Sequence, residues 1–372
     1  MQAQTSSVPL KHQARPRRRV TAPNPTAARQ LAGAVAVVAG ATRGAGRGIA
    51  RALGEAGAFV YCTGRSIRGQ PSPYKRPETI EETAEMIAGA GGEAVAVRVD
   101  HTVEAEVRSL FERVRRERGR LDIVVDSVAG EDPLMDQWTP FWETDLANTE
   151  AVLRQALVSR IITAKHAVPL MIEKRRGLIV EVTESDLLTA SGNTPTQIVK
   201  FSHKVLANIW AGELRKHQVA VVAVTPGFLR SERMLEGLGV TEKNWRDAGK
   251  KDKNFLESES PLFVGRAIAA LAADPKLLKR TGRLFSSWEL ARGYAVKDVD
   301  GRRPDWGALD IDYSGLPASL LEAIGEALDV QCVWLEELAE RTARYRASFR
   351  AQTRKPTRPG PGRRAKGATS AR

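Results

Sequence analysis

The chain has few of the residues from which several kinds of site are built. Only two of its 372 residues are cysteines, Cys62 and Cys332, and they lie far apart. This excludes a disulfide framework, predicts no metal site and favours a reducing compartment. Cys62 lies in an apolar run, where a buried, unreactive thiol is expected. No run of about twenty apolar residues occurs, so no membrane span is predicted.

Acidic residues are absent from both ends of the chain. Residues 1–30 carry six basic residues and residues 341–372 carry eleven, with no acid in either segment. Because these seventeen charges exceed the net charge of +13, residues 31–340 carry a net charge of −4. The ends are rich in Pro, Gly, Ser, Thr and Arg and cannot bury enough apolar surface to fold. We therefore predict disordered basic tails over 1–30 and 346–372, which either bind polyanions weakly or have no specific role.

One segment near the N-terminus resembles an export or import signal. "RPRRRV" precedes the apolar run "LAGAVAVVAGA". The run is separated from the arginines by mostly polar or small residues and continues directly into a glycine cluster, as a strand would. We therefore expect a cytoplasmic protein.

Short apolar runs alternate with helix-like stretches from Gly33 to about residue 300. The predicted strands are 34–39, 58–62, 94–99, 121–126, 177–182, 219–224 and 283–286, and the predicted helices are 47–56, 78–90, 103–118, 150–174, 196–216 and 261–273. Most strands are continuously apolar, which is typical of strands covered on both faces. The pattern predicts an α/β fold with a doubly wound, Rossmann-like parallel sheet of about seven strands over 31–305, with helices on both faces. Residues 306–345 are expected to form a helical extension.

Three glycines follow the first strand and open the first helix, at Gly40, Gly44 and Gly46. Glycines at such a turn let the backbone approach a diphosphate, which the helix N-terminus then faces. The strand before and the helix after them favour a dinucleotide site.

The end of the second strand indicates which dinucleotide binds. NAD sites usually have an acidic residue there, but this chain has Arg65 and Ser66, and Arg43 lies inside the glycine turn. Guanidinium groups suit a 2′-phosphate, so NADP(H) is the predicted cofactor. The alternative is that both arginines are solvent-facing loop residues.

These motifs resemble those of the short-chain dehydrogenase/reductase family over residues 31–303. The resemblance adds Asp100 after the third strand, "SVAG" at 127–130 and Pro226-Gly227 after the sixth strand. The segment 282–302 resembles the C-terminal end of the branch that contains dehydrogenase/reductase family member 1 and its bacterial relatives.

The resemblance implies a role in cofactor binding for a set of residues. The diphosphate would be held by Gly40, Thr42, Arg43, Gly44 and Gly46, and the 2′-phosphate by Arg65 and Ser66. Asp100 and His101 would flank the adenine, Ala129 and Gly130 would lie against the nearer ribose, and Lys200 would bind the cofactor ribose. Pro226, Gly227 and Phe228 would face the nicotinamide. His101 is expected at the surface, with no catalytic role. The family also implies a homo-oligomer, a dimer or tetramer, and a small carbonyl or alcohol substrate.

The proton-transfer half of the family's site is altered. The family uses a tyrosine four residues before a lysine, with a serine and a helix asparagine. Here the lysine is Lys200, the tyrosine position holds Thr196 and the serine position holds Thr183, where the hydroxyl would still donate a hydrogen bond. The asparagine region, 154–163, contains no asparagine.

Several other side chains are candidates for the missing acid. They are Glu184, Ser185, Asp186 and His203, with packing or solvated roles as their alternatives. Two functions remain open: an NADP(H)-dependent oxidoreductase with a degenerate site, and a non-catalytic NADP(H)-binding protein. A nucleic-acid binder acting through the tails is disfavoured. Residues 228–260 are expected to cover the nicotinamide, and Trp138, Phe141 and Trp142 either line an opposite wall or pack in the core.

Overall fold

The computed structural model describes residues 29–71, 75–129, 139–184, 194–309 and 340–347. The predictions for Gly130, Trp138, Ser185 and Asp186 lie outside these residues, as do Cys332 and most of the two tails and of the extension. The chain divides into two compact units. All strands described below belong to the first unit, and the described part of the second unit is an exposed helical stretch at 340–347.

Seven parallel strands form a sheet in the described part of the first unit, in the order β3-β2-β1-β4-β5-β6-β7. They are β1 (Val35–Ala39), β2 (Phe59–Gly64), β3 (Glu93–Arg98), β4 (Ile123–Asp126), β5 (Gly177–Val182), β6 (Val219–Thr225) and β7 (Leu284–Ser286). The predicted strands are all present, with ends displaced by at most two residues. The strand order reverses between β1 and β4, so the predicted doubly wound fold is confirmed.

Helices cover both faces of this sheet. They are α1 (Gly44–Glu55), α2 (Ile80–Gly89), α3 (Glu104–Arg118), α4 (Leu146–Leu153), α5 (Ser159–Lys174), α6 (Thr194–Leu214), α7 (Glu232–Leu238), α8 (Pro261–Ala272) and α9 (Ser287–Tyr294). Helices α1, α2, α8 and α9 pack on the face that contains Ala36 and Val38, and α3, α5 and α6 pack on the face that contains Val35 and Val37. Because alternate residues of a strand point to opposite faces, a strand buried on both sides is apolar throughout.

The helix predicted over 150–174 is divided into three parts. Between α4 and α5 lies a π-helical segment, Arg154–Val158. Such segments are uncommon and often occur at functional sites. None of the helices that the structure describes is long and apolar enough to cross a membrane.

Candidate active site

The glycine turn lies in the crevice between the carboxyl ends of β1 and β4. Gly40 has a φ of +81°, and a Cβ there would lie 2.4 Å from the carbonyl oxygen of Ser127. A Cβ on Gly46 would lie 2.1 Å from the carbonyl oxygen of Gly40. A side chain at either position would force the backbone apart, so these glycines allow the turn to pack and the N-terminus of α1 to face the crevice.

A carboxylate from another element occupies this helix N-terminus. The N–H of Gly44 donates to Oε2 of Glu232, the first residue of α7, at 2.8 Å. Nη1 of Arg47 lies 3.5 Å from the other oxygen of Glu232. The first turn of α1 contains no acidic residue of its own. The N-terminus of α1 therefore holds an anionic group, as helix N-termini commonly do.

Arg65 reaches from the end of β2 towards two other elements. Its Nη2 donates to Oε1 of Gln155 at 2.8 Å, and its Nη1 lies 3.8 Å from the carboxylate of Asp100. Burial opposes ionisation of Asp100, but hydrogen bonds from Thr102 and the charge of Arg65 outweigh it and lower the pKa of Asp100. The structure thus brings Arg65 and Asp100 together and adds Gln155.

A charged cluster lies beside the glycine turn. Arg76 pairs with Glu78 at 2.5 Å and also with Glu236 of α7. Burial of Glu78 raises its pKa, but the hydrogen bond from Arg76 and the charges of Arg76 and Arg43 outweigh burial, so the pKa of Glu78 is lowered. Arg43 therefore lies close to an anionic group and is not an isolated loop residue. Ser66 and Thr42 are both buried.

The surface position expected for His101 is wrong. Its side chain is 3% exposed and lies between two threonines, with Nε2 2.8 Å from Oγ1 of Thr63 and Nδ1 2.9 Å from Oγ1 of Thr163. Burial lowers the pKa of His101. The two hydroxyls satisfy both ring nitrogens, which lets the imidazole face inward.

The residues predicted for proton transfer lie close together in the fold. Thr196 and Lys200 lie one turn apart on α6, and Oγ1 of Thr183 donates to the carbonyl of Lys200 at 3.1 Å. The carboxylate of Glu184 contacts the ammonium of Lys200. The Thr183 hydroxyl proton is thus engaged in holding α6 to the end of β5. In this conformation, donation to a substrate carbonyl would require the Thr183 hydroxyl to leave the carbonyl of Lys200.

His203 packs in the interior, as the alternative to a catalytic acid expects. Its Nε2 lies 2.8 Å from the carbonyl oxygen of Ala156 in the π-helical segment. Burial, together with the nearby charge of Arg160, places the pKa of His203 well below its usual range. Among the described residues, Nδ1 of His203 has no hydrogen-bond partner. A buried neutral imidazole in this position is not a proton donor to an open site.

The carboxyl group of Glu259 supports the loop that follows β6. Oε2 of Glu259 accepts from the N–H of Gly227 at 3.0 Å and from Oγ of Ser287 at 2.5 Å. Burial raises the pKa of Glu259 to about 8. Trp306, at the start of the predicted extension, packs edge-on against Phe228 with ring centroids 5.4 Å apart. Sequence patterns indicated neither contact, because both partners lie far from the loop in sequence.

The segment 228–260 is organised around a buried arginine. Arg230 is 1% exposed and pairs with Glu242 and Asp298, and its guanidinium lies over the ring of Trp245. By contrast, Phe141 and Trp142 are 64% and 72% exposed and contact each other. The alternative that these two aromatic residues pack in the core is therefore wrong.

Comparison with known proteins gives one family. A family model described as short chain dehydrogenase matches residues 34–239. Dehydrogenase/reductase SDR family member 1 of Mus musculus is 36% identical over 276 residues, which span 73% of this chain and 85% of that protein. The Homo sapiens protein of the same name is 36% identical over 274 residues, spanning 73% of this chain and 84% of that protein.

Solved structures show the same fold. A putative short-chain dehydrogenase/reductase from Burkholderia xenovorans aligns with a TM-score of 0.57 at 23% identity, covering 69% of this chain and 95% of that one. A hydroxysteroid dehydrogenase from Escherichia coli aligns with a TM-score of 0.55 at 20% identity, covering 69% of this chain and 96% of that one. At these identities the likeness concerns the fold alone.

Proposed function

This chain belongs to the short-chain dehydrogenase/reductase family, and from that premise we propose that it is an NADP(H)-dependent oxidoreductase acting on a small carbonyl or alcohol substrate. The observation that carries the proposal is the glycine turn. Gly40 and Gly46 have no room for a side chain, and Gly44 already donates its N–H to an anionic oxygen. These residues fit a nicotinamide dinucleotide, whose diphosphate would take the place of the Glu232 carboxylate.

The bound cofactor would supply the hydride, and the chain would supply position and the proton. The diphosphate would be held by Gly40, Thr42, Arg43, Gly44 and Gly46, and the 2′-phosphate by Arg65 and Ser66. The adenine would lie beside Asp100, with the buried His101 supporting that side of the site from the interior. The riboses would be held by Ala129, Gly130 and Lys200, and the nicotinamide by Pro226, Gly227 and Phe228. Preference for NADP(H) is supported by Arg65 and Arg43 and by the absence of an acid at the end of β2.

The proton would be transferred slowly. The hydroxyl of Thr196 is a far weaker acid than a phenol, whose pKa is about 10. Lys200 is paired with Glu184, and Thr183 donates to the main chain. The same contacts favour a second candidate function, a non-catalytic protein that binds NADP(H) as a partner subunit or sensor.

Location and assembly belong to the same proposal. The chain would be cytoplasmic, and its low cysteine content supports this location. Burial raises the pKa of the Cys62 thiol to about 12, so this thiol is protonated and unreactive, as a reducing compartment permits. It would also form a dimer or tetramer, which an exposed apolar stripe on α6 supports.

Cofactor affinity tests the proposal directly. The dissociation constants of NADPH and NADH would be measured by titration for wild type, Arg65→Ala and Arg68→Ala. Arg68 is the matched control, because it lies on the same loop but pairs with Glu85 at 2.5 Å on the surface. We expect wild type and Arg68→Ala to prefer NADPH, and Arg65→Ala to lose about 10- to 100-fold of that preference with the charge-assisted hydrogen bonds. Equal binding of NADH by wild type, or an unchanged ratio in Arg65→Ala, would refute the NADP(H) assignment.

A further inference from the structure

A buried arginine lies near the carboxyl ends of β4 and β5, within the segment 154–163 but with no role in the predicted site. The side chain of Arg160 on α5 is 3% exposed. Its Nη1 donates to the carbonyl of Asp126 and to Oε2 of Glu181, both at 2.9 Å. Its Nη2 donates to the carbonyl of Val128 at 3.2 Å and its Nε to the carbonyl of Ala156 at 3.0 Å. One guanidinium thus holds three main-chain carbonyls and a carboxylate.

Two of those carbonyls flank the residue that meets the glycine turn. The N–H of Ser127 donates to the carbonyl of Ala39 at 2.9 Å, and the Ser127 carbonyl lies where a Cβ on Gly40 would collide with it. Oδ1 of Asp126 accepts from the N–H of Val128 at 3.1 Å. Arg160 therefore fixes the main chain of 126–128 on both sides of its contact with the glycine turn.

The third carbonyl ties this strand end to the helix that carries Lys200. The carbonyl of Ala156 accepts from Arg160 and also lies 2.8 Å from Nε2 of His203, on α6. The neighbouring Gln155 donates from Nε2 to the carbonyl of Ala129 at 3.1 Å and accepts from Arg65. The π-helical segment thus joins the end of β4, the arginine after β2 and α6.

Stability alone does not explain this cluster. Asp126 and Glu181 are each 1% exposed, and burial raises the pKa of Glu181. Removing an arginine and two carboxylates from water costs several kcal/mol, and well-packed apolar replacements of such clusters are often neutral or stabilising. The planar guanidinium of arginine has five donors in a fixed arrangement. It therefore holds the surrounding carbonyls in a defined geometry, which apolar packing does not.

We propose that Arg160 is a positioning residue that sets residues 126–129 against the glycine turn and thereby sets the affinity for the dinucleotide without contacting it. The proposal rests on the proposed cofactor site. It requires that changes in Arg160 alter cofactor binding in protein that is fully folded.

Two variants separate geometry from folding. Arg160→Lys keeps the charge but loses the forked set of donors. The triple variant Arg160→Met/Glu181→Leu/Asp126→Asn removes the buried charges together, so no buried charge is left unpaired, and the amide introduced at position 126 keeps an acceptor for the N–H of Val128. The control is Arg280→Met/Asp274→Asn, which removes a partly buried pair at 2.7 Å near the amino end of β7. Thermal unfolding and NADPH titration would be measured on each.

We expect both Arg160 variants to unfold cooperatively and to bind NADPH at least about tenfold more weakly than wild type, which corresponds to about 1.4 kcal/mol. The control should bind like wild type. Wild-type affinity in a folded Arg160 variant would overturn the proposal, as would loss of cooperative unfolding in both variants, which would assign Arg160 to folding alone. Binding by wild type tests the cofactor site separately: a wild type that binds neither NADPH nor NADH would overturn the proposed function as well.

Discussion

At position 196, one helical turn before Lys200, the chain has an aliphatic hydroxyl, and the proposed function places it where a catalytic phenol would stand. We predict that Thr196→Tyr increases NADPH-dependent carbonyl reduction. A positioned general acid raises the reaction rate by about 10²–10⁴-fold. Thr196→Tyr should recover only part of this rate, because the Thr183 hydroxyl is engaged with the main chain. The measurement is NADPH oxidation with activated ketones and quinones.

Lys200 provides the control for this prediction. The introduced phenol needs a nearby positive charge to lower its pKa, so Thr196→Tyr/Lys200→Ala should lose the gain. If Thr196→Tyr binds NADPH but gains no activity, the pocket is closed to carbonyl substrates and the non-catalytic function takes precedence.

Glu232 allows a second test at the scale of single residues. Its carboxylate accepts a hydrogen bond from the N–H of Gly44, so a bound diphosphate would have to displace the carboxylate. Glu232→Gln should therefore tighten NADPH binding by about two- to fivefold, since a charge at a helix N-terminus contributes about 0.3–1 kcal/mol. Titration with NADPH measures this effect, and Glu236→Gln is the control because Glu236, on the same helix, pairs with Arg76. Weaker binding by Glu232→Gln would mean that Glu232 supports the bound state.

Residues of the candidate site could be predicted from sequence where their spacing along the chain is informative. The positions of Lys200 and Thr196 came from the family resemblance and from the spacing to Pro226 and Gly227, and those of Gly40 and Gly46 from the strand before them and the helix after them. Glu232, Gln155 and Arg160 were not predictable, because their partners lie on other elements far away in sequence. The buried position of His101 was not predicted, because nothing in the sequence indicates that Thr63 and Thr163 are its hydrogen-bond partners.

Helix α6 carries an apolar stripe that is exposed in the part of the chain that the structure describes. Ile198, Phe201, Val205 and Ile209 follow at helical spacing and are 49%, 44%, 36% and 50% exposed. We predict that this stripe lies in the interface of a homo-oligomer. Phe201→Glu/Ile209→Glu should lower the mass measured by light scattering at micromolar concentration.

Met86 on α2 supplies the control for this prediction, since it is apolar and 42% exposed but lies outside the stripe. Met86→Glu should leave the mass unchanged. A monomeric wild type at the same concentration would contradict the prediction.

Elements were predictable where one physical rule dominates. Strands covered on both faces are apolar without interruption, so β5 was found with its exact ends. The π-helical segment Arg154–Val158 was not predictable, because its apolar spacing differs little from that of a continuous helix. Its importance lies in the partners of Gln155 and Ala156, which only the folded chain brings together.

The basic tails matter at the scale of the whole molecule. Deletion of residues 1–28 and 346–372 should leave cooperative thermal unfolding and NADPH binding intact, because their composition cannot contribute a core. A start at Arg29 keeps its hydrogen bond to the carbonyl of Gly91 at 2.6 Å. Thermal unfolding and titration of the truncated and full-length proteins check this, and a non-cooperative transition in the truncated protein would refute it.

One titration tests the central claim for the whole molecule most directly. Wild-type protein is titrated with NADPH to saturation, a panel of ketones and quinones is added to the saturated sample, and loss of the reduced nicotinamide is followed. We predict saturable binding of NADPH followed by turnover far below about 10 per second, the ordinary enzyme rate, because the proposed site has the residues for the cofactor but has Thr196 at the position proposed for the proton donor. Failure to bind NADPH would contradict the cofactor site, and turnover at the ordinary rate would show that another residue supplies the proton.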